Sequence, residues 1–123
     1  MLQTFCHYFL HFGSVVIIAY FWDKKNWWKG WLLLLCTMIV DLDHLIANPI
    51  FDPNRCSIGY HLLHSPIPIL IYLTVFIFVK HKWVRLFALG FLFHMLTDLI
   101  DCFWMFSDCL DCWEGSVIYE WMN

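Results

Sequence analysis

The run Gly90-Phe91-Leu92-Phe93-His94-Met95-Leu96-Thr97-Asp98-Leu99-Ile100-Asp101 is apolar enough for a bilayer, yet it carries one imidazole and two carboxyls. An Asp at the centre of a membrane helix costs about 2.5–3.5 kcal/mol on insertion scales, so such groups turn toward one another or toward a polar cavity. His94 and Asp98 are four residues apart and share one side of a helix, and Asp101 continues their stripe. Outward from this run the same combination recurs. His7 and His11 lie in the first apolar stretch, Asp41-Leu42-Asp43-His44 closes the second, and His61-Leu62-Leu63-His64 opens the third. Histidine and aspartate are residue types that bind divalent metals.

The chain has 123 residues, of which 62% are hydrophobic and 14% charged. A soluble domain carries about 25% charged residues, so this composition belongs in a bilayer. Four segments approach the roughly 20 residues needed to span it: 2–22, 30–47, 62–79 and 83–106. Ser65-Pro66 begins the strongly apolar part of the third; Pro66 fits a first turn, and Pro68 bends that end. Positions 48–55, with Asn48, Pro49, Asp52, Pro53 and Asn54, are rich in turn formers. There is no internal repeat, and 1–123 reads as one domain. The expected fold is all-α: an integral membrane four-helix bundle, with the tail 107–123 lying at the interface. Met1-Leu2-Gln3-Thr4 lacks a cationic n-region, so the first segment is expected to be a retained helix rather than a cleaved signal. A net charge of -3 without a basic patch excludes a nucleic-acid binder.

Lys24, Lys25 and Lys29 lie between segments one and two, and Lys80, Lys82 and Arg85 between three and four. The positive-inside rule makes both loops cytoplasmic, which puts both termini and the 48–61 loop on the extracytoplasmic side. Trp22, Trp27, Trp28, Trp31 and Trp83 flank the inner loops, and Trp104, Trp113 and Trp121 the outer end, as an aromatic belt requires. At 1.5 Å of rise per residue, His11 lies about 18 Å above Asp23, Asp41 about 18 Å above Lys29, His64 about 24 Å from Lys80, and Asp98 about 20 Å above Arg85. Every helix thus places its polar residues in the outer half. The pairs His7/His11, Asp41/His44, His61/His64 and His94/Asp98 each share a helix side. Inward-facing pairs of this kind build metal sites in helical bundles. Asp43 points away from Asp41 on a regular helix, so it either supports another ligand or marks the helix end. The competing reading, a hydrogen-bonded polar network, returns only about 0.6 kcal/mol per bond in membranes. That poorly explains so many ionisable groups. His81, in a basic loop, reads as solvated.

Asp41-Leu42-Asp43-His44, His61-Leu62-Leu63-His64-Ser65 and Gly90-Phe91-Leu92-Phe93-His94-Met95-Leu96-Thr97-Asp98 together resemble the LexA-regulated, membrane-bound metal-dependent hydrolase family. His7-Tyr8-Phe9-Leu10-His11-Phe12 and Arg55-Cys56-Ser57-Ile58-Gly59 are similar to a small bacterial relative of unknown function. The resemblance covers about residues 3–102 and implies a four-helix membrane protein with a metal centre in the bacterial inner membrane. The His/Asp set is also similar to that of helical zinc-dependent phospholipases C, which hydrolyse phosphodiesters.

Imidazole and carboxylate ligands without a thiolate pair suit zinc, and also manganese or iron. The expected metal ligands are His7, His11, Asp41, His44, His61, His64, His94 and Asp98, enough for two or more ions. Two ions about 3.5–4 Å apart can clamp a phosphoryl group. Asp43 or Asp101 is the candidate general base, and Arg55, the one outside basic residue, the candidate phosphate contact. A site near the outer headgroups suits hydrolysis of a phospholipid or another lipid-linked phosphoester, with membrane lipid as both environment and substrate. The alternative is a non-catalytic metal-binding membrane protein: a structural site, a sensor or a transporter. The inner halves, such as 15–20 and 32–35, are nearly all apolar, which leaves a homo-oligomer interface as the route for any transport. Cys6, Cys56, Cys102, Cys109 and Cys112 fall on the outer side, where disulfides form. Cys56 with Cys102, or bonds among Cys102, Cys109 and Cys112, would tether the loop or the tail, and spacing does not choose between them. Cys109-Leu110-Asp111-Cys112 also admits zinc or redox chemistry. Cys36 reads as a small buried hydrophobe.

Overall fold

The computed structural model describes residues 2–50, 52 and 54–123; Met1, Phe51 and Pro53, the last part of the turn-rich stretch, lie outside the described residues. Helix α1 is Leu2–Trp22. Helix α2 runs over 27–46, α-helical in Trp27–Leu35 and 3-10 in Cys36–Ile46. A 3-10 turn, Leu62–His64, leads into α3, Pro66–Phe78. Helix α4 is Lys82–Asp108. Two short helices, α5 (Leu110–Glu114) and α6 (Val117–Met122), make the tail. The described residues are all helix, turn and loop, with no strand. Two of the helices, α1 and α4, are long and apolar enough to cross a membrane, and α3 is a shorter apolar helix.

Two departures from regular α-helix bear on the site. Within α1, Phe9–Ser14 winds as a π-helix around His11. Gly13 and Ser14 account for it. The Ser14 hydroxyl donates to the Leu10 carbonyl, and the Phe9 ring lies where a Gly13 side chain would be. Gly/Ser pairs and side-chain hydroxyls bonded one turn back bend helices. Within α2, eleven successive residues take the tighter 3-10 winding, far beyond the usual three or four. With three residues per turn, Asp41 and His44 stack on one side and Asp43 moves about 120° from them instead of nearly opposite. Asp43 is consequently buried, 6% exposed.

Two apolar clusters bracket the polar layer. Val15, Ala19, Leu34 and Leu86 fill the end nearer the lysine-bearing loops. Val40, Cys56, Ile58, Met95, Cys102, Phe106 and Ile118 join α2, the 47–61 loop, α4 and the tail. Lys82 donates to Asp23 at 2.7 Å, which joins the two basic loops at one end of the bundle. This ion pair holds the Asp23 carboxyl well below the usual carboxylate range. At the opposite end a Cys56–Cys102 disulfide ties the loop to α4, and Cys109–Cys112 closes the start of α5. Of the pairings left open by spacing, these two form. Cys36 is exposed rather than buried.

Gly90 sets the α2–α4 approach one turn below His94. A Cβ there would fall 2.6 Å from Thr37 Cγ2 and 2.8 Å from Leu34 Cδ2. Gly90→Ala is expected to force these helices apart and lower stability by about 1–3 kcal/mol. Thermal unfolding in detergent checks it: an unchanged midpoint would show that the helices part without cost.

Candidate metal centre

Four donor atoms converge from α2, the Leu62–His64 turn and α4. His94 Nε2 lies 3.0 Å from Asp41 Oδ1 and 3.5 Å from Asp98 Oδ2. His64 Nε2 lies 3.1 Å from Asp98 Oδ2 and 3.7 Å from Asp41 Oδ1. A tetrahedral site with bonds of about 2.0–2.1 Å has donors about 3.3 Å apart; these four separations straddle that value. His64 is fully buried, yet its Nε2 and the Asp98 Oδ2 lack hydrogen-bond partners among the described residues. Buried polar atoms are otherwise almost always paired, so unpaired donors aimed at one point fit a cation. The group Asp41, His64, His94 and Asp98 can hold a metal ion.

Asp98 faces a second group with its other oxygen. His11 Nε2 is 3.3 Å from Asp98 Oδ1, the His7 and His11 rings are 4.4 Å apart, and His7, His11 and Asp98 form a further set with metal-ligand spacing. The π-helical turn brings His11 there, 4% exposed. Asp98, itself 5% exposed, thus stands between two donor groups, one oxygen toward each.

Asp43, expected as a base or a support, supports. Its Oδ2 accepts from the Leu63 amide at 2.7 Å and from His64 Nδ1 at 3.1 Å. That bond puts the His64 proton on Nδ1 and leaves Nε2 free for a ligand, the usual carboxylate–histidine arrangement at metals. Asp43, His44 and His64 are close enough to form a third, overlapping set. His61 joins none of the three sets among the described residues. It stacks on His44 at 3.8 Å instead, and burial, with repulsion from His44, pushes its pKa down to about 4.

A cavity of about 410 Å³ opens beside these groups, lined by His7, His44, Ser57, His61, Asp98 and Asp101 among others. Asp101 accepts from Gln3 Nε2 at 2.8 Å and lies 3.9 Å from His7 Nδ1. Arg55 also lines the cavity. Its guanidinium donates to the carbonyls of Pro49 and Ile50 and lies over the Tyr60 ring, which braces the loop. The feature sequence reasoning missed is Ser57, whose hydroxyl meets His44 Nε2 at 3.1 Å. The two are 13 residues apart across a loop, so no periodicity marks the pair.

The fold and the cluster define a helical protein with a buried His/Asp centre able to hold a metal ion. The chain belongs to the DUF6122 family, a family of unknown function, whose model matches residues 1–105. The matched region takes in all three donor sets and Cys56 and Cys102, and stops short of α5 and α6. No curated protein and no solved structure matches the chain.

Proposed function

We propose that the chain is a membrane-embedded, metal-dependent hydrolase that cleaves a phospholipid or another lipid-linked phosphoester. The observation that carries this reading is Asp98, which offers its two oxygens to two separate donor groups beside an open cavity. We assign two divalent ions to these groups, zinc by donor chemistry, with manganese or iron as the other metals such donors suit. A pair of divalent ions polarises a phosphoryl group and makes water acidic enough to ionise near neutral pH. The chain itself supplies the rest. Asp43 fixes the His64 ring, Gln3 holds the Asp101 carboxylate at the cavity wall to accept a proton, and Arg55 keeps N–H donors for a phosphate.

A four-span bundle in the bacterial inner membrane, with the site on the periplasmic side, is part of the reading. Helix α2 spans about 35 Å, because its 3-10 half rises about 2.0 Å per residue, enough for a hydrocarbon core of about 30 Å. Large apolar side chains stand exposed on each long helix, among them Phe5, Ile39, Leu42, Ile67, Leu70 and Phe103. Such surface belongs against lipid. The basic loops at one end and the disulfides at the other agree with the orientation.

The rival, a metal-binding protein without catalysis, meets two obstacles. Transport would need a way past the closed plug of Val15, Ala19, Leu34 and Leu86. A purely structural ion needs a sealed shell, whereas Asp98 and His7 face the cavity.

Purified protein in mixed micelles is expected to release product from a lipid phosphoester when metal-loaded and to lose that turnover on chelation, with recovery on adding the ion back. Absence of turnover across a broad panel of phosphoesters, with two ions bound, would favour the rival.

A further inference from the structure

We propose that Ser57, His44 and Asp43 form a nucleophilic relay on the cavity wall, and that hydrolysis proceeds through a covalent seryl intermediate. The proposal takes its substrate class from the hydrolase reading; its geometry is independent of it.

The His44 Nε2 is 3.1 Å from Ser57 Oγ. On the other side of the same ring, Nδ1 is 3.2 Å from Asp43 Oδ1 and 3.7 Å from Asp41 Oδ1. Both carboxylates lie on the Nδ1 side within ion-pair distance, although Nδ1 makes no hydrogen bond among the described residues, and Nε2 is the ring nitrogen that meets the serine hydroxyl. Nucleophile, base and orienting carboxylate stand in the order a hydroxyl nucleophile requires. The order is recognised by geometry, not by position along the chain.

Three features hold the arrangement. His61 lies against the His44 ring at 3.8 Å with 29° between planes, and His64 meets it edge-on at 5.1 Å. Cys56, next to Ser57, is bonded to Cys102 on α4, which pins the loop. The Ser57 carbonyl accepts from the amides of Tyr60 and His61, closing a turn that needs Gly59 at φ 84°. Gly59 then donates to the His64 carbonyl at 3.0 Å. Ser57 and His44 both line the cavity, so a substrate that enters it meets the hydroxyl.

The chemistry closes without an external oxidant or reductant. Ser57 Oγ attacks phosphorus and its proton passes to His44 Nε2. The bond from phosphorus to the leaving alkoxide breaks, and His44 returns the proton to that oxygen. Water then attacks the seryl phosphoester and gives a proton to His44. The phosphorus–Oγ bond breaks, and Ser57 recovers its proton. Hydrolysis is complete and the enzyme is restored.

A fluorophosphonate probe tests this without any substrate. Intact, metal-loaded protein is expected to gain one adduct, mapped by mass to Ser57 and absent in Ser57→Ala. Ser57 should react at least about 100-fold faster than Ser107 of the same molecule, the range a positioned general base contributes. Ser107 is the internal reference: it is exposed, and among the described residues its hydroxyl bonds only the Trp104 carbonyl. His44→Gln should remove that advantage. A Ser57 that labels no faster than Ser107 in folded protein, or one whose rate survives His44→Gln, overturns the relay. The two readings fail separately. Rapid labelling without phosphoester turnover would remove the hydrolase reading alone, and full turnover in Ser57→Ala would remove the relay alone.

Discussion

Asp98→Asn is expected to strip the protein of nearly all bound divalent metal, with at least a tenfold loss of affinity at both groups. One oxygen of Asp98 lies 3.1 Å from His64 Nε2, the other 3.3 Å from His11 Nε2. Among the described residues no other side chain spans both groups. The amide keeps the shape but loses the charge and one of the two acceptor oxygens. Elemental analysis of protein purified in detergent is the measurement. His11→Ala gives the contrast: His11 offers a ligand atom to the second group alone, and its ring meets the first group only by packing 4.3 Å from His94, so about one ion per chain should remain. If Asp98→Asn keeps the wild-type content, the two groups do not share this carboxylate and the two-ion reading falls. If His11→Ala empties the protein as thoroughly as Asp98→Asn, the centre is a single cooperative cluster rather than two separable positions.

Asp43→Asn is expected to lower metal affinity by about 10–100-fold without removing any ligand atom, the usual loss when the partner of a ligating histidine is replaced. The carboxylate is 6% exposed and accepts from both the Leu63 amide and His64 Nδ1. Both donors bond the same oxygen, so Asn can still accept from both, but as a neutral carbonyl in place of a carboxylate, which weakens the two bonds by about 1–2 kcal/mol in all. The His64 ring is then held less firmly in its orientation and tautomer. Competition with a chelator of known affinity reads the first effect and thermal unfolding in detergent the second. Wild-type affinity in Asp43→Asn would mean that packing alone holds His64, and Asp43 would lose its positioning role.

The arrangement of the bundle is legible in the sequence to a considerable depth. Segments 2–22 and 83–106 correspond to Leu2–Trp22 and Lys82–Asp108, and 30–47 to the helix over 27–46. The equal heights of the polar pairs above the basic loops correspond to donors from α1, α2, α4 and the His64 turn meeting within hydrogen-bond distance. Periodicity could not supply the local winding. The regular 3.6 repeat turns Asp43 away from Asp41, and only the 3-10 half of α2 brings both inward. Likewise no pattern distinguishes His61 from His64. The extended backbone at His61 breaks the i,i+3 relation, so one ring turns to Asp98 while the other covers His44. Ser57 escaped notice because its partner lies across a loop whose path depends on the Cys56–Cys102 bond, itself one of several pairings the spacing allowed.

That bond turns part of the chain into a closed ring. Its two cysteines are 46 positions apart, and His61, His64, His94 and Asp98 all lie on the enclosed stretch. His7, His11, Asp41, Asp43 and His44 lie outside it, on the hairpin of the first two helices. The polar centre is therefore a seam between a cross-linked half and an open-ended half. Any ion held at the centre would therefore join a half closed by a covalent bond to a half tied to it only by packing and by the Lys82–Asp23 ion pair.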